Sequence, residues 1–454
     1  MIIGASAAGL LTAAALAPLA DVTLVERDDL PDQPHPRRGV PQARHAHLVW
    51  SGGVTAFDEL IPGAINDILA RGGRLAHIMG DMVCRAPNGI WFRRFLSNRH
   101  RALVSSRDLM DFVLRDLVLA LGSVSLRPNT TVIGIEGDAS RVTGVRIRTG
   151  EEESILSADL IVDASGRGSR APQWLQGLGL PRVAERVVDA GVTYATRLFN
   201  APAAASNTEF PLINVQANPA APPGKGGLLL PIEGNRWLVT LRGTRGGEPT
   251  TDPNAFVDFA LSLPDPLIGC LIRDAEPLDD ITISRSTANR RRYYEKLKSW
   301  PDGFVAIGDA IAGFNPVYGH GLTVAAQSAI AVRDVLRVTS LIAPGTARRL
   351  QHAAARPVSA AWSLALGQDA FYPGATEAPP STVERLLARY VDRAVATGAR
   401  NPQALEALLD VMSLEKPPVR LFSPGMLVPM LFGPKRPRLV QAPLRDAERK
   451  VSMP

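Results

Sequence analysis

The opening of the chain leaves little freedom. Ile2-Ile3 runs through Gly4-Ala5-Ser6-Ala7-Ala8-Gly9 into an Ala-rich segment, and Val22-Thr23-Leu24-Val25 follows as a β-branched run. Strand, tight turn, helix and buried strand in that order make a βαβ unit of a parallel sheet. Gly4 permits the turn. Ser6, standing where glycine is usual, is small enough for the backbone to approach a pyrophosphate at the helix N-terminus, and Gly9 lets the helix lie close to the strand. Glu26 ends the second strand 22 residues after Gly4, close to the ~20-residue spacing at which an acidic side chain meets ribose hydroxyls. Gly4, Ser6, Ala8, Gly9, Glu26 and the adjoining Arg27 are therefore candidate dinucleotide contacts. The helix is expected from about Ala7 to Ala17, with Pro18 stopping it. Only Met1, Ile2 and Ile3 precede the first glycine, fewer than the ~5 residues of an ordinary strand, so a short upstream segment is expected.

The 454 residues exceed what one core organises, which implies two or three units. Lys and Arg number 50 against 44 Asp and Glu, a net charge of +6. The basic clusters Arg37-Arg38, Arg93-Arg94, Arg290 to Arg292 and Lys435-Arg436 are short and no aromatic residues interleave them, so no nucleic-acid partner is expected. Cys84 and Cys270 match no metal or redox spacing, and a reducing cytoplasm is the default location. No signal peptide is read before the first strand, and no apolar run reaches the ~18 residues that span a bilayer.

Farther along, residues 28–47 are rich in Pro, Arg and His and read as a long functional loop. Met79 to Arg85 and Gly89 to Phe95 suggest a hairpin. Asp108 to Leu121 has helical periodicity, Thr131 to Glu136 and Val142 to Thr149 read as strands, and Leu160 to Asp163 as a buried strand. Gly226 to Ile232 and Trp237 to Gly243 are strands joined by Glu233-Gly234-Asn235. Phe304 to Gly308 returns to a buried strand, with a helix from about Leu322 to Leu336 and Pro-jointed helices beyond. The expected fold is α/β: a Rossmann-type dinucleotide domain (1–78, 100–185, 282–345) interrupted by an antiparallel-sheet domain (79–99, 186–281), with a helical C-terminal region (346–454).

A second motif, Gly308-Asp309-Ala-Ile-Ala-Gly-Phe-Asn-Pro316-Val-Tyr-Gly319-His320-Gly321, follows the late buried strand and enters a helix. It resembles the matching segment of FAD-dependent aromatic hydroxylases and squalene epoxidases, whose fold is the glutathione-reductase-like Rossmann type. The resemblance implies FAD as cofactor, with Gly308 and Asp309 on the ribityl chain, Pro316, Gly319, His320 and Gly321 positioning the flavin, and the Gly319 to Leu322 backbone N–H groups at its pyrimidine edge. A helix N-terminus there would stabilise the negative charge of reduced flavin. Asp163 and Gly166 resemble the family's middle motif, Arg107 the Arg beside the flavin, and Val132 the strand residue that meets adenine.

The loop Arg37-Arg38-Gly-Val-Pro-Gln42-Ala-Arg44-His45-Ala-His47 is similar to actinobacterial polyene epoxidases of polyether antibiotic biosynthesis. So are Tyr194 to Phe199, Thr244 to Pro249, Ser284 to Arg291 and Asn315 to Gly321. The likeness covers most of residues 1–335 and fades in the tail. It makes Arg38, Gln42 and Arg44 candidate cofactor contacts, with Arg38 or Arg44 as the bidentate partner of the pyrophosphate. His45 and His47 lack a third ligand, and no metal is expected. Tyr194, Trp91, Trp237, Phe314 and Asn315 are candidate substrate-facing residues, although aromatic residues in strands are more often core. Leu421 to Phe432 is apolar and followed by Lys435-Arg436. It is read as packed on the body of the protein, with at most weak membrane-surface contact.

The implied activity is a flavin monooxygenase of secondary metabolism, with O2 as co-substrate, NAD(P)H as donor directly or through a flavin reductase, and a C4a-hydroperoxide on the cofactor as oxidant. The resemblance favours epoxidation of a small apolar polyene. An aromatic hydroxylase, an isoprenoid double-bond reductase and a non-catalytic FAD binder remain the alternatives. The Trp-x-Trp-x-Ile-Pro of flavin halogenases and a second dinucleotide loop are absent from the sequence.

Overall fold

The computed structural model describes residues 1–205, 210–433 and 436–452. Its organising layer is a five-stranded parallel sheet in the order Phe304–Ala306, Ile161–Asp163, Ile2–Ile3, Val22–Val25, Val124–Arg127. The three central strands are almost wholly apolar and buried, whereas the edge strand Val124–Arg127 exposes Ser125 and Arg127. The first strand has two paired residues, and neighbours on each side hold it. Helix Ala7–Leu16 follows and packs against helix Gly321–Arg337. A three-stranded antiparallel sheet (Thr130–Gly137, Val142–Thr149, Glu152–Ser157) extends this layer.

A six-stranded sheet stands apart: Thr282–Ser284, Thr193–Asn200, Arg236–Gly243, Lys225–Ile232, Leu212–Val215 and Met82–Arg85. Alternation splits its side chains between two cores. Phe199, Trp237, Val239, Leu241 and Ile213 pack on helices Ala255–Leu261 and Leu267–Ile272. Leu198, Leu238, Leu230 and Leu212 pack the other way, against Leu48, Ala76, Ala102 and Val104 of a small sheet and Leu405 and Leu409 of a C-terminal helix. The expected hairpin at residues 79–95 forms in a short, irregular version: Ala86 N–H donates to the Ile90 carbonyl at 2.9 Å, Phe92 N–H to the Cys84 carbonyl at 3.0 Å and Phe95 N–H to the Met79 carbonyl at 2.7 Å, around one antiparallel bridge, Arg85 to Trp91. Ile78–Asp81 is helical, and Met82–Arg85 also pairs in parallel with Leu212–Val215.

The C-terminal region docks onto the dinucleotide unit. Helix Thr346–Asp369 runs along Gly321–Arg337, with Ser328 donating to the Ala354 carbonyl at 2.9 Å. The turn after helix Pro402–Met412 is pinned by His320, whose Nε2 donates to the Met412 carbonyl at 3.0 Å, and by Gln327, which donates to Leu414 at 2.9 Å. A Cβ at Gly52 would stand 2.2 Å from the Ser413 carbonyl oxygen, so only glycine allows this approach. Asp410, fully buried, accepts from Arg99 and Arg420 at 2.7 Å each, and His100 Nε2 lies 3.4 Å away. The Leu421 to Phe432 segment is amphipathic: Leu421, Met426 and Met430 are buried, whereas Phe422, Val428, Leu431 and Phe432 are exposed. Lys435 lies outside the described residues. No helix among the described residues is long and apolar enough to cross a membrane.

Asp410→Ala leaves two guanidinium groups without their shared acceptor and should lower stability by roughly 2–4 kcal/mol, read as the urea midpoint. Burial lowers the His320 pKa to about 4 from 6.5. Between those values the unfolded chain binds more protons, so the His320 contribution is complete above about pH 6.5 and is lost as pH falls toward 4, by about 1.4 kcal/mol per pH unit. Urea titrations at pH 7, 5.5 and 4.5 should show that slope added to those of the buried His45 and His47, and H320Q should lower the total by the His320 share.

Candidate active site

The glycine turn is built as tightly as its sequence implies. Gly4 has φ +99°, and a Cβ at Gly9 would stand 1.8 Å from the Gly4 carbonyl oxygen. The helix that follows has no side-chain cap at Ser6, so its first backbone N–H groups are open to an anion. The Ser6 hydroxyl is held instead by Arg107 at 3.1 Å, and Arg107 is fixed by Asp111 at 2.8 Å. Glu26 is buried at the strand end, where it accepts from Ala5 N–H and Arg37 at 2.8 Å each and from Asp28 N–H at 3.1 Å.

Arg37 is therefore the inward cation of the Arg/His loop, a residue that the sequence reading passed over. Arg27, Arg38, Gln42 and Arg44 are exposed. The 3-10 turn Pro41–Arg44 faces Ala43 inward and carries its polar neighbours outward. Arg27 reaches only the Gly39 carbonyl at 3.5 Å and Asp28 at 3.8 Å, and the Arg44 charge acts on Asp108 and Asp279. Val132 is half-buried at a bulge of its strand, where the register shifts between Val132 and Gly134. Such a shift interrupts the ladder locally.

The second motif meets the first directly. Gly308 has φ +60°, and a Cβ there would stand 2.9 Å from the Ala8 Cβ. Asp309 follows on this contact, with an oxygen 3.8 Å from the Cβ position of Gly321. Burial raises its pKa, while the charges of Arg167 and Arg107 oppose the rise. No hydrogen bond among the described residues reaches the Asp309 carboxylate. Pro316 is exposed and opens a 3-10 turn closed by Gly319 at φ +65°. Gly319 rests on Trp50, whose Nε1 donates to the Tyr318 carbonyl at 2.9 Å. The next helix begins at Gly321, also without a side-chain cap, with Leu322 buried beneath it. Two uncapped helix N-termini and a carboxylate without a partner suit a phosphate-bearing, hydroxyl-rich flavin nucleotide.

Three side chains stand elsewhere than expected. Asp163 is consumed within its own loop, accepting from Ser165 N–H at 3.0 Å and from the Ser165 and Ser169 hydroxyls at 2.5 Å each, while Gly166 takes φ +80°. Its neighbour Arg167 does the bridging: it donates to the Phe314 carbonyl at 3.2 Å and lies where a Gly313 side chain would go. The His320 ring is buried, stacked beside Tyr318 at 6.0 Å between ring centres, and its Nε2 is taken up by the Met412 carbonyl. Trp237, with Trp91, belongs to the core on the far side of the six-stranded sheet, beside Phe199 and Phe256, because odd positions of its strand face the helices.

Tyr194 and Asn315 do come together, inside a buried network. The Tyr194 hydroxyl donates to Asn315 at 2.8 Å, and Asn315 and Asn289 donate to Asp369 at 2.8 and 2.6 Å. The Tyr318 hydroxyl donates to the other Asp369 oxygen at 2.6 Å. Burial raises the Asp369 pKa, and these three donors pull it back. Phe314 is buried in the main core. Asp369 lies in the tail, and the only sequence signal for it is a lone acid at the end of an apolar helix. His45 and His47 separate: His45 Nδ1 meets Thr196 at 2.7 Å, and His47 Nδ1 donates to the His45 carbonyl at 2.8 Å. Burial lowers each imidazole to about 4.

The fold is shared with known proteins. Protein Rv3254 of Mycobacterium tuberculosis is 33% identical over 396 residues, covering 84% of this chain and 82% of that one. The flavin-dependent brominase Bmp2 superimposes with a TM-score of 0.65 at 15% identity, over 91% of this chain and 92% of its own. The p-nitrophenol 4-monooxygenase PnpA of Pseudomonas putida DLL-E4 superimposes with a TM-score of 0.61 at 16% identity, over 91% and 97%. The sequence pattern of the FAD binding domain matches residues 1–349. That span contains both glycine motifs, the Glu26 strand end and Asp309, and the chain belongs to the FAD binding domain family.

Proposed function

We propose that this protein is an FAD-dependent monooxygenase that epoxidises carbon–carbon double bonds of an apolar polyene. The observation that carries the cofactor part is the Gly308–Ala8 contact, which sets the partnerless Asp309 carboxylate between two uncapped helix N-termini. The oxygenase part rests on the likeness to solved oxygenases of this fold, and the polyene on the resemblance of the Arg37 to His47 and Asn315 to Gly321 segments.

The first helix N-terminus would take the pyrophosphate, Glu26 the ribose hydroxyls, the Val132 backbone the adenine edge, Asp309 the ribityl hydroxyls and the Gly319 to Leu322 N–H groups the pyrimidine edge. Bound and reduced by two electrons from NAD(P)H, directly or through a flavin reductase, FAD supplies one oxygen atom of O2 to the substrate while the other leaves as water. The chain itself positions and excludes. The Asp369 network fixes the Asn315 to Tyr318 turn, so the flavin edge has a rigid floor. The Leu198 and Leu238 face of the sheet is closed by Leu48, Ala76 and Val104, with Trp50 and Phe92 partly buried against it, which keeps water from that side of the turn.

Asp309→Ala should weaken FAD retention by roughly tenfold to a hundredfold, the loss of one charge-assisted hydrogen bond. Flavin-to-protein absorbance after gel filtration measures it, with circular dichroism confirming the fold. Retention equal to that of the unaltered protein would remove Asp309 from the site. Under ¹⁸O2, with a linear polyene and a flavin-reducing system, the product should gain one labelled oxygen per reacted double bond by mass spectrometry. Unlabelled reduced product would identify a reductase, a labelled phenol from an aromatic substrate a hydroxylase, and brominated product in bromide a halogenase.

A further inference from the structure

The face of the six-stranded sheet that looks toward the flavin turn carries one cation with nothing to pair with. Arg242 stands opposite Tyr194 across the strands, and its Nε lies over Gly226, 2.7 Å from where a Cβ there would be. Gly226 thus makes room for the guanidinium. Arg242 Nε is buried without a hydrogen-bond partner, and among the described residues no hydrogen bond or ion pair reaches any part of this side chain. Its charge acts on Tyr194, Tyr318, Tyr372, Cys84 and Asp369. The one acid among them, Asp369, already has its oxygens on Tyr318, Asn315 and Asn289. A half-buried guanidinium without an acceptor costs stability that a bound anion would restore.

A second orphan donor lies on the same face. The Ala46 N–H donates to the Thr240 hydroxyl oxygen at 3.0 Å, and Thr240 meets the Thr196 hydroxyl at 2.8 Å. In the Thr240–Thr196 bond and in the Thr196–His45 Nδ1 contact at 2.7 Å, either side can donate. Where Thr196 donates to Nδ1, the neutral His45 carries its proton on Nε2. That atom is buried with no partner, in a residue only 4% exposed whose ring centre is 6.0 Å from that of Tyr194. Arg242 Nε and His45 Nε2, two buried atoms without a partner, thus flank Tyr194 beside the flavin turn.

We infer that this corner recognises an organic acid: Arg242 pairs with a carboxylate of the substrate, and His45 Nε2–H donates to an acceptor oxygen of the same molecule. The inference rests on the monooxygenase reading and narrows it, from an apolar polyene to an apolar chain with an acidic end. Arg offers two parallel N–H groups to a carboxylate, so the pair would fix orientation as well as affinity. With the acid held at this corner, the oxidised bond would be chosen by its distance from the carboxylate.

The test is a binding measurement on the FAD-loaded protein, without reductant. Flavin absorbance and fluorescence would be titrated with decanoate, oleate and benzoate, each beside its methyl ester. At least one acid should bind about tenfold or more tightly than its ester. R242Q should abolish that preference, R242K should keep a part of it, and both should retain FAD as the unaltered protein does. The proposal falls if every acid binds no better than its ester, if R242Q keeps the preference, or if R242Q and R242K lose FAD, which would make Arg242 a cofactor ligand. Because no turnover is measured, a failure here leaves the ¹⁸O2 result standing, and an unlabelled product leaves the acid preference standing.

Discussion

A methyl group on residue 308 would collide with the methyl of Ala8, and the site depends on that absence. The parallel sheet sets Phe304–Ala306 two strands away from Ile2–Ile3, with Ile161–Asp163 between them. Its loops therefore emerge on one side, the carboxyl end of the strands, where open α/β sheets bind ligands. Adjacency alone would bring the two glycine motifs near each other. The Gly308–Ala8 approach at 2.9 Å brings them into contact. Gly308 also supplies a positive φ that turns the chain at once, so Asp309 follows on the turn instead of a residue or two later. A side chain at 308 would pay both the steric and the dihedral cost.

The second constraint is polar and buried. Asp369 joins four elements: the strand of Tyr194, the strand of Asn289, the flavin turn of Asn315 and Tyr318, and its own helix. Each hydrogen bond is worth only about 1 kcal/mol net, but an unpaired partner in this setting costs more than that. The network thus tolerates one arrangement of the turn and penalises others. Arg167 reinforces it from the opposite side by holding the Phe314 carbonyl. The helical tail is part of the site on this account. It supplies the acid that orders the turn, and it supplies Met412, the acceptor for His320.

The sequence reading was sound where a local rule tied residue type to backbone shape. The Gly4 and Gly9 turn, the helices after Ser6 and His320 and the strand limits near Gly226 and Gly243 follow from glycine freedom, helix period and β-branching. It went astray where partners are distant. Arg37 and Arg38 are equivalent in the sequence, and only the 3-10 turn after them decides which reaches Glu26. Asp163 looks like a ligand, but two serines within six residues satisfy it first. Trp237 is assigned to the wrong face because the alternation of its strand cannot be oriented until the opposing helices are known. Asp369 carries no local mark, since its meaning comes from side chains 51 to 80 residues away.

The groups left without partners form a pattern of their own. Carboxylates that could have been orphaned, Glu26, Asp111, Asp369 and Asp410, are paired with arginines or with several donors. Asp309 stands open beside the glycine motifs, and Arg242 and His45 Nε2 stand open beside Tyr194. Other buried polar atoms also lack a partner, among them His100 Nε2, Trp237 Nε1 and the Tyr294 hydroxyl, so it is their position beside the glycine motifs and Tyr194 that sets these three apart. Asp309 is an acceptor facing the cofactor motifs, whereas Arg242 and His45 are donors facing the sheet. On the proposed reading the first polarity suits a polyhydroxylated cofactor and the second an acidic substrate, so the two kinds of open group divide between two ligands.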